Sequence, residues 1–234
     1  MRIVCVSDTH GLHHGLQIPN GDLLVHAGDL CGRGSLVELA AAADWLRGLP
    51  HRHKVVIGGN HDFCLEQEPR QARPLLEGLI YLQDESAQVE GLHLYGSPWQ
   101  PWFHDWAFNL RRGEPLRRVW AHIPPDTHIL ITHGPPQGIL DKTFDGRLVG
   151  CEELSQRLAT VRPLVHVFGH IHEAYGQQKQ GETLYLNASV CDLKYRPVQA
   201  PWVLEWDGRH MRLASDCDQM STTSPTTSEG STPE

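Results

Sequence analysis

Five short strings carry groups able to bind a metal ion or move a proton. They are Ser7-Asp8-Thr9-His10-Gly11, Gly28-Asp29, Gly59-Asn60-His61-Asp62, Thr132-His133-Gly134 and Gly169-His170-Ile171-His172. Together they offer the carboxylates of Asp8 and Asp29, the amide oxygen of Asn60, and the imidazoles of His10, His133, His170 and His172. A mixed oxygen and nitrogen set suits first-row divalent metals rather than Mg²⁺ or Ca²⁺ alone. So many ligand groups exceed the needs of one tetrahedral ion. They match two ions sharing a bridging carboxylate, each with an open position for water. A structural zinc site would be local and rich in cysteine, and this set is neither. The chain holds 16 histidines against 20 Lys and Arg together, and only those at the strings are tied to this chemistry.

Each string directly follows an apolar, strand-like run. Arg2–Val6, Leu23–Ala27, Lys54–Ile57, His128–Thr132 and Leu164–Phe168 read as buried strands. In layered α/β folds, ligands gather at the carboxyl ends of neighbouring strands, so distant strings can converge on one edge. His170 and His172 are two apart, which on a strand would point them to opposite faces; they meet only if the strand has ended before them. Ser35–Leu49 is the clearest helix: Ser35 and Glu38 form a capping box, and Leu36, Leu39, Ala40, Ala43 and Leu46 recur on one face. Pro115–His122 and Glu152–Ala159 read as further helices, and Leu79–Leu82 and Leu92–Tyr95 as strands. Thr183–Asn187 and Trp202–Trp206 read as late, antiparallel strands. Pro98–Phe108 is an aromatic loop holding Trp99, Trp102, Phe103 and Trp106. Early alternation of strand and helix followed by consecutive strands gives a mixed α/β layered fold. His26 and His166 lie inside apolar runs and read first as satisfied core histidines, second as partners standing behind the ligands.

The chain's 234 residues suit one domain, expected over 1–214, that can bury a core without disulfide staples. Residues 215–234 contain Ser, Thr and Pro in abundance and no aromatic, which predicts a disordered tail. A net charge of −8 argues against a long nucleic-acid track or an anionic membrane surface. No run approaches the length of a membrane span, the start lacks the pattern of a signal peptide, and six scattered cysteines fit reduced thiols; the expectation is a cytoplasmic protein. Cys64 and Arg70 have the spacing of a cysteine phosphatase loop. Glu66, Glu68 and Pro69 between them would repel phosphate, so that chemistry is rejected.

The order DxH, GD, GNHD, THG, GHxH resembles the calcineurin-like metallophosphoesterase superfamily. The strings GSPWQPWFHDWAFNL, ILITHGPP, HVFGHIHEAYG and LYLNASVC resemble its MPPED-type branch. The resemblance covers about residues 1–206. It implies a β-sandwich of two mixed sheets flanked by helices, a four-layer αββα arrangement, with a dimetal site at one edge. By the same resemblance, one ion takes Asp8, His10, Asp29 and His172, the other takes Asp29, Asn60, His133 and His170, and Asp29 bridges. The ions would be Mn, Fe, Zn or Co, with Mn placed first. His61 would be the non-ligand histidine that meets the phosphate or the leaving group, and Asp62 would either orient His61 or cap the following segment. Some members of the branch lack the histidine matching His170; this chain keeps it, which favours a working dimetal enzyme. The Asp-Arg pair of protein Ser/Thr phosphatases is absent after Asp29, which argues against that role.

The expected mechanism is in-line attack on phosphorus by a hydroxide bridging the ions, since coordination lowers the pKa of water to about 7. The expected substrate is a small phosphodiester, cyclic-nucleotide-like or other, with a broad phosphomonoesterase second and a non-catalytic metal-binding scaffold third. The aromatic loop would either wall the cleft and stack on a flat leaving group, or anchor itself in the core. Arg33, Arg111 and Arg112 are read as solvated charges rather than phosphate ligands.

Overall fold

Successive residues on the apolar runs point to opposite faces, and that sorting builds the layers. The computed structural model describes residues 1–214; the tail expected over 215–234 lies outside the described residues. The strands are β1 (Arg2–Val6), β2 (Leu23–His26), β3 (His53–Val56), β4 (Ile80–Tyr81), β5 (Glu85–Val89), β6 (Leu92–Ser97), β7 (Gln100–Pro101), β8 (Asn109–Leu110), β9 (Ile129–Thr132), β10 (Val165–Phe168), β11 (Gly176–Gln180), β12 (Thr183–Asn187), β13 (Trp202–Trp206) and β14 (Met211–Leu213). The helices are α1 (Leu36–Gly48), α2 (Phe63–Gln67), α3 (Pro69–Leu75), α4 (Glu114–Ala121) and α5 (Glu152–Val161).

Two six-stranded sheets form, in the orders β14-β13-β1-β2-β3-β4 and β11-β12-β10-β9-β6-β5. Each has a parallel centre: β1 to β4 in the first, and β12, β10, β9 and β6 in the second. Each is edged by antiparallel pairing, β13 and β14 on one sheet, β11 and β5 on the other. Ile3, Cys5, Leu23, Val25, Ile129, Ile131, Val165 and Val167 point inward and fill the space between the sheets. Their neighbours Val4, Val6, Leu24 and Val56 face outward onto Leu39, Ala42, Ala43 and Leu46 of α1. Leu130 and Phe168 do the same on the other side, against Leu116 and Trp120 of α4 and Leu154 and Leu158 of α5. The result is the four-layer αββα sandwich of two mixed sheets flanked by helices. No helix among the described residues is long and apolar enough to cross a membrane.

The main elements lie within a residue or two of their sequence positions. Ala42 replaces Ala40 on the buried face of α1. The late strands are corrected in one respect. β12 is antiparallel to β11 but parallel to β10, and β13 lies in the other sheet, so the two do not pair. Strands β5 and β11 carry few buried apolar residues and have no strong sequence signal.

Ser35 Oγ accepts from the Glu38 amide at 3.2 Å, and the Glu38 carboxylate accepts from the Ser35 amide at 3.0 Å and from the Arg33 amide at 3.1 Å. The capping box therefore also fastens the loop that follows Asp29. Ser35→Ala should cost about 1 kcal/mol of stability, read as a lower urea midpoint with unchanged slope.

Candidate metal centre and cleft

All five strings sit at carboxyl ends of parallel strands: β1, β2 and β3 in one sheet, β9 and β10 in the other. The two sheets meet at that edge. The Ser7 amide donates to Ala188 O at 2.8 Å, the Asp8 amide to Gly28 O at 3.0 Å, and the Gly169 amide to His133 O at 2.9 Å. β10 ends at Phe168, and a 3₁₀ turn begins at His172, so the GHxH string has left the strand as its spacing requires.

The backbone here is held in costly conformations. Asp8, His10, Asp29 and His170 have φ of +57°, +45°, +57° and +68°, in the left-handed region that L-residues seldom occupy. Strain of this kind survives only where surrounding contacts over-determine it, and it concentrates at functional sites. Two glycines are sterically required: a Cβ at Gly169 would collide with the Asp8 carboxylate, and one at Gly59 with that of Asp29.

Asp8, His10 and His172 form one group of potential ligand atoms, Asp8, Asp29 and His133 a second, and His10, Asp29 and His61 a third. His172 Nε2 lies 3.3 Å from Asp8 Oδ1, His133 Nε2 3.4 Å from Asp29 Oδ1, and His10 Nε2 3.7 Å from Asp29 Oδ2. Asn60 Oδ1 is 2.7 Å from His133 Nε2. Asp8, Asp29, Asn60, His10, His133 and His172 are all buried. The ring of His170 stands beside His133, centroids 5.1 Å apart, outside the tight groups; its backbone amide donates to Asp8 Oδ2 at 3.0 Å.

Outer partners aim the rings. His133 Nδ1–H donates to Ala27 O at 2.9 Å and His172 Nδ1–H to Asp192 O at 3.1 Å, so each turns its Nε2 toward the carboxylates. Ser189 Oγ donates to Asp8 Oδ2 at 2.8 Å, while Asn187 Nδ2 donates to Ile171 O at 2.8 Å and steadies the GHxH loop. Burial by itself would raise the carboxyl pKa values. The facing imidazoles outweigh it: His172, then His133 and His10, hold Asp8 well below the ordinary range, and His133 and His10 hold Asp29 there. Burial likewise works against charge on His133 and His172, yet Asp29 and Asp8 push both up to about 9. Protons on these two rings thus offset the carboxylate charge. A divalent cation held here would have to displace them, so cation uptake should strengthen as pH rises.

The donor set fits two divalent cations. Buried carboxylates and imidazoles crowd together, Nε2 atoms are pre-aimed, and Asn60 turns its amide oxygen to the same cluster, while His10 Nδ1 and Asn60 Nδ2 are buried donors or acceptors left for water or a bound anion. Such orphaned polar atoms are costly unless a ligand or water meets them.

His61 is half-buried at the edge of this cluster. Its Nδ1–H donates to Gly32 O at 2.8 Å, leaving Nε2 free, and its amide donates to Asp29 Oδ1 at 2.8 Å. Its ring packs edge-on against Trp106 at 4.3 Å and His10 at 4.6 Å. Asp62 stands at the N-cap position of α2, but its side chain is used elsewhere and makes no bond to His61. Its buried carboxylate accepts from Gly59 (2.8 Å), Cys31 (2.8 Å) and Leu30 (3.2 Å), and no side-chain bond caps α2. Three amides on two loops compete better than one ring, so Asp62 ties the loop after β2 to the loop after β3. Burial and the charge of Asp29 push its pKa up to about 6. Cys64 is buried in α2 and faces the core, in keeping with its rejected role.

A cleft of ≈ 410 Å³ opens over the cluster, with Asp29, Asn60, His61, His170 and His172 in its lining. The aromatic loop divides between its two expected roles. Trp102, Phe103 and Trp106 line the cleft. Trp99 instead donates from Nε1 to Asp84 Oδ2 at 2.7 Å and packs edge-on against Phe108. The sequence reading missed Tyr195, Phe144 and Leu193, which also line the cleft. Tyr195 has φ +55° and packs edge-on against His10 at 4.8 Å and His172 at 5.4 Å. These three stand in irregular loops with no periodicity; strain at Tyr195 shows only in three dimensions. Arg112 lines the cleft too, but its guanidinium is taken by Gly150 O, Val149 O and Glu152.

This sandwich and this edge define a class. The chain belongs to the calcineurin-like phosphoesterase family, whose model matches residues 1–174. It is 44% identical over 229 residues to the human metallophosphoesterase domain-containing protein 1, covering 87% of this chain and 70% of that one; the mouse counterpart matches equally. Among solved structures, the protein TT1561 of Thermus thermophilus superposes with a TM-score of 0.57 at 16% identity, over 91% of this chain and 97% of the other. The NAD nucleotidase of Haemophilus influenzae superposes with a TM-score of 0.52 at 13% identity, over 92% of this chain and 49% of the other. The last two likenesses are of fold.

Proposed function

We propose that this phosphoesterase hydrolyses small phosphodiesters bearing a flat aromatic group. The observation that carries the reading is the aromatic cleft above the carboxylate–imidazole cluster. Asp8, His10, Asp29 and His172 would hold one divalent ion and Asp29, Asn60, His133 and His170 the other, Mn²⁺ being the first choice. Bound there, such ions supply positive charge for the phosphoryl oxygens and acidify water. His61 Nε2, when protonated, donates to the departing oxygen. Trp102 and Phe103 stack on the flat group, while Trp106 and Tyr195 screen the reacting edge from solvent.

The cleft's arginines favour diesters over monoesters. Arg112 is committed to two carbonyls and Glu152, and Arg147 to Asp145 at 2.7 Å. Each is paired with a carboxylate, so neither pair brings net positive charge to the second negative charge of a monoester. Phosphomonoester hydrolysis is the second reading.

The test compares bis(p-nitrophenyl) phosphate, p-nitrophenyl phosphate and cyclic nucleotides with added Mn²⁺, with and without chelator. Diester turnover should dominate and vanish with chelator. Trp102→Ala should raise KM for aromatic diesters by the equivalent of about 1–3 kcal/mol of lost stacking, leaving dimethyl phosphate unaffected. Turnover confined to monoesters would overturn the diester reading.

A further inference from the structure

Two histidines stand behind the cluster in matching positions. His26 is the last residue of β2 and His166 lies in β10; both are fully buried. Each sits on the outward, helix-facing side of its strand, one in each sheet, where packing alone would favour an apolar residue. His26 follows outward Leu24, and His166 precedes outward Phe168. A buried imidazole is costly unless its nitrogens are paired. Each ring has a partner on one nitrogen only: His26 Nε2 lies 3.0 Å from Thr9 Oγ1, and His166 Nε2 lies 2.8 Å from Thr132 Oγ1. Both Nδ1 atoms are buried without a partner.

The threonines touch the ligand turns directly. Thr132 precedes His133, and its hydroxyl donates across that residue to Gly134 O at 2.7 Å. Thr9 lies between Asp8 and His10, and its hydroxyl donates to Asp29 O at 3.5 Å, beside the His10 amide that reaches the same oxygen at 3.0 Å. A hydroxyl has one proton. With that proton given to the carbonyl, the oxygen can only accept from the imidazole: the short Thr132 bond puts the His166 proton on Nε2, and the longer Thr9 contact points the same way for His26.

We propose that the pairs His26–Thr9 and His166–Thr132 are positioning devices that set the two ligand turns for metal uptake. Each histidine, fixed as its Nε2–H tautomer, locks a threonine hydroxyl as a brace across the turn. The Thr132 brace governs the ion held through His133. The Thr9 brace governs both ions, because it fixes Asp29 together with Asp8 and His10. This rests on the reading of those residues as metal ligands.

The test uses the full chain and Mn²⁺ alone, with calorimetric titration, metal counting and nitrogen NMR of the histidine rings. Partners behind metal ligands are worth about 10–100-fold in affinity. Thr132→Val should weaken one of two Mn²⁺ sites by that factor, and Thr9→Val should weaken both. Thr132→Ser and Thr9→Ser should stay close to the parent protein. Thr132→Val strands the His166 N–H, so the double variant His166→Phe/Thr132→Val checks folding: it should regain thermal stability and keep the weakened site. Both histidines should show the Nε2–H tautomer in metal-free protein. Parent-like affinity in the valine variants, or an Nδ1–H tautomer on either ring, overturns the positioning role alone. A parent protein that takes up no Mn²⁺ overturns the metal reading, and this proposal with it.

Discussion

Asp29→Asn is expected to abolish tight uptake of both metal ions and, with it, phosphoester hydrolysis. Asp29 shares one group of potential ligand atoms with His10 and another with His133. Its Oδ2 lies 3.7 Å from one ring and its Oδ1 3.4 Å from the other. Replacing the carboxylate by an amide keeps its shape and an acceptor for the His61 amide, which donates to Oδ1 at 2.8 Å. What is lost is the charge. The loss should exceed the roughly 10–100-fold typical of a partner behind a ligand, since here the ligand itself is changed. The metal-free fold should lose some stability, because the charge that pairs with His133 goes with it, but the isosteric amide keeps the fold in place. Metal counting on the purified variant, beside its thermal midpoint, checks this. Two ions bound at parental affinity would show that Asp29 is not the bridge.

His61→Ala should lower turnover by about 10²–10⁴-fold while leaving two ions in place. The Nδ1–H bond to Gly32 O fixes the ring and leaves Nε2 as the atom able to give a proton. The size of the loss should follow the leaving group. An alkoxide needs a proton as it departs and should suffer most; p-nitrophenolate leaves unaided and should suffer least. A uniform loss across leaving groups would argue for phosphate binding instead. Loss of metal would place His61 among the ligands, a competing role that its grouping with His10 and Asp29 makes concrete. The same measurement on the two variants therefore separates holding an ion from serving the reaction.

Much of this site is legible in the linear chain because strand ends are local events. An apolar run stops, a glycine or a small polar residue follows, and the next side chain is presented at the sheet's carboxyl edge. Asp8, Asp29, Asn60, His133 and His172 can each be found that way, and glycines 59 and 169 stand beside them because a Cβ would strike a carboxylate. The side-chain contacts of Asp62 are not legible in the linear chain, because a carboxylate beside a histidine has an obvious local use. Its real partners, Leu30, Cys31 and Gly59, are brought to it by the pairing of β2 with β3. The aromatic loop shows the same limit. Composition marks Trp99 and Trp102 alike, yet one hydrogen-bonds Asp84 in the sandwich and the other stands in the cleft.

The chemistry and the layers are written in the linear chain: which donor groups exist, which strand each one follows, and which residues alternate toward a shared core. These depend on residue type and on periods of two and 3.6, which are properties of neighbours along the chain. Folding in three dimensions sets how the second half of the cleft is walled, by Tyr195, Phe144 and Leu193, and how His26 and His166 stand behind the turns after β1 and β9. Those depend on which loops the two sheets bring together. Contact between residues far apart in sequence is fixed by the closing of the whole sandwich, and no local pattern records it.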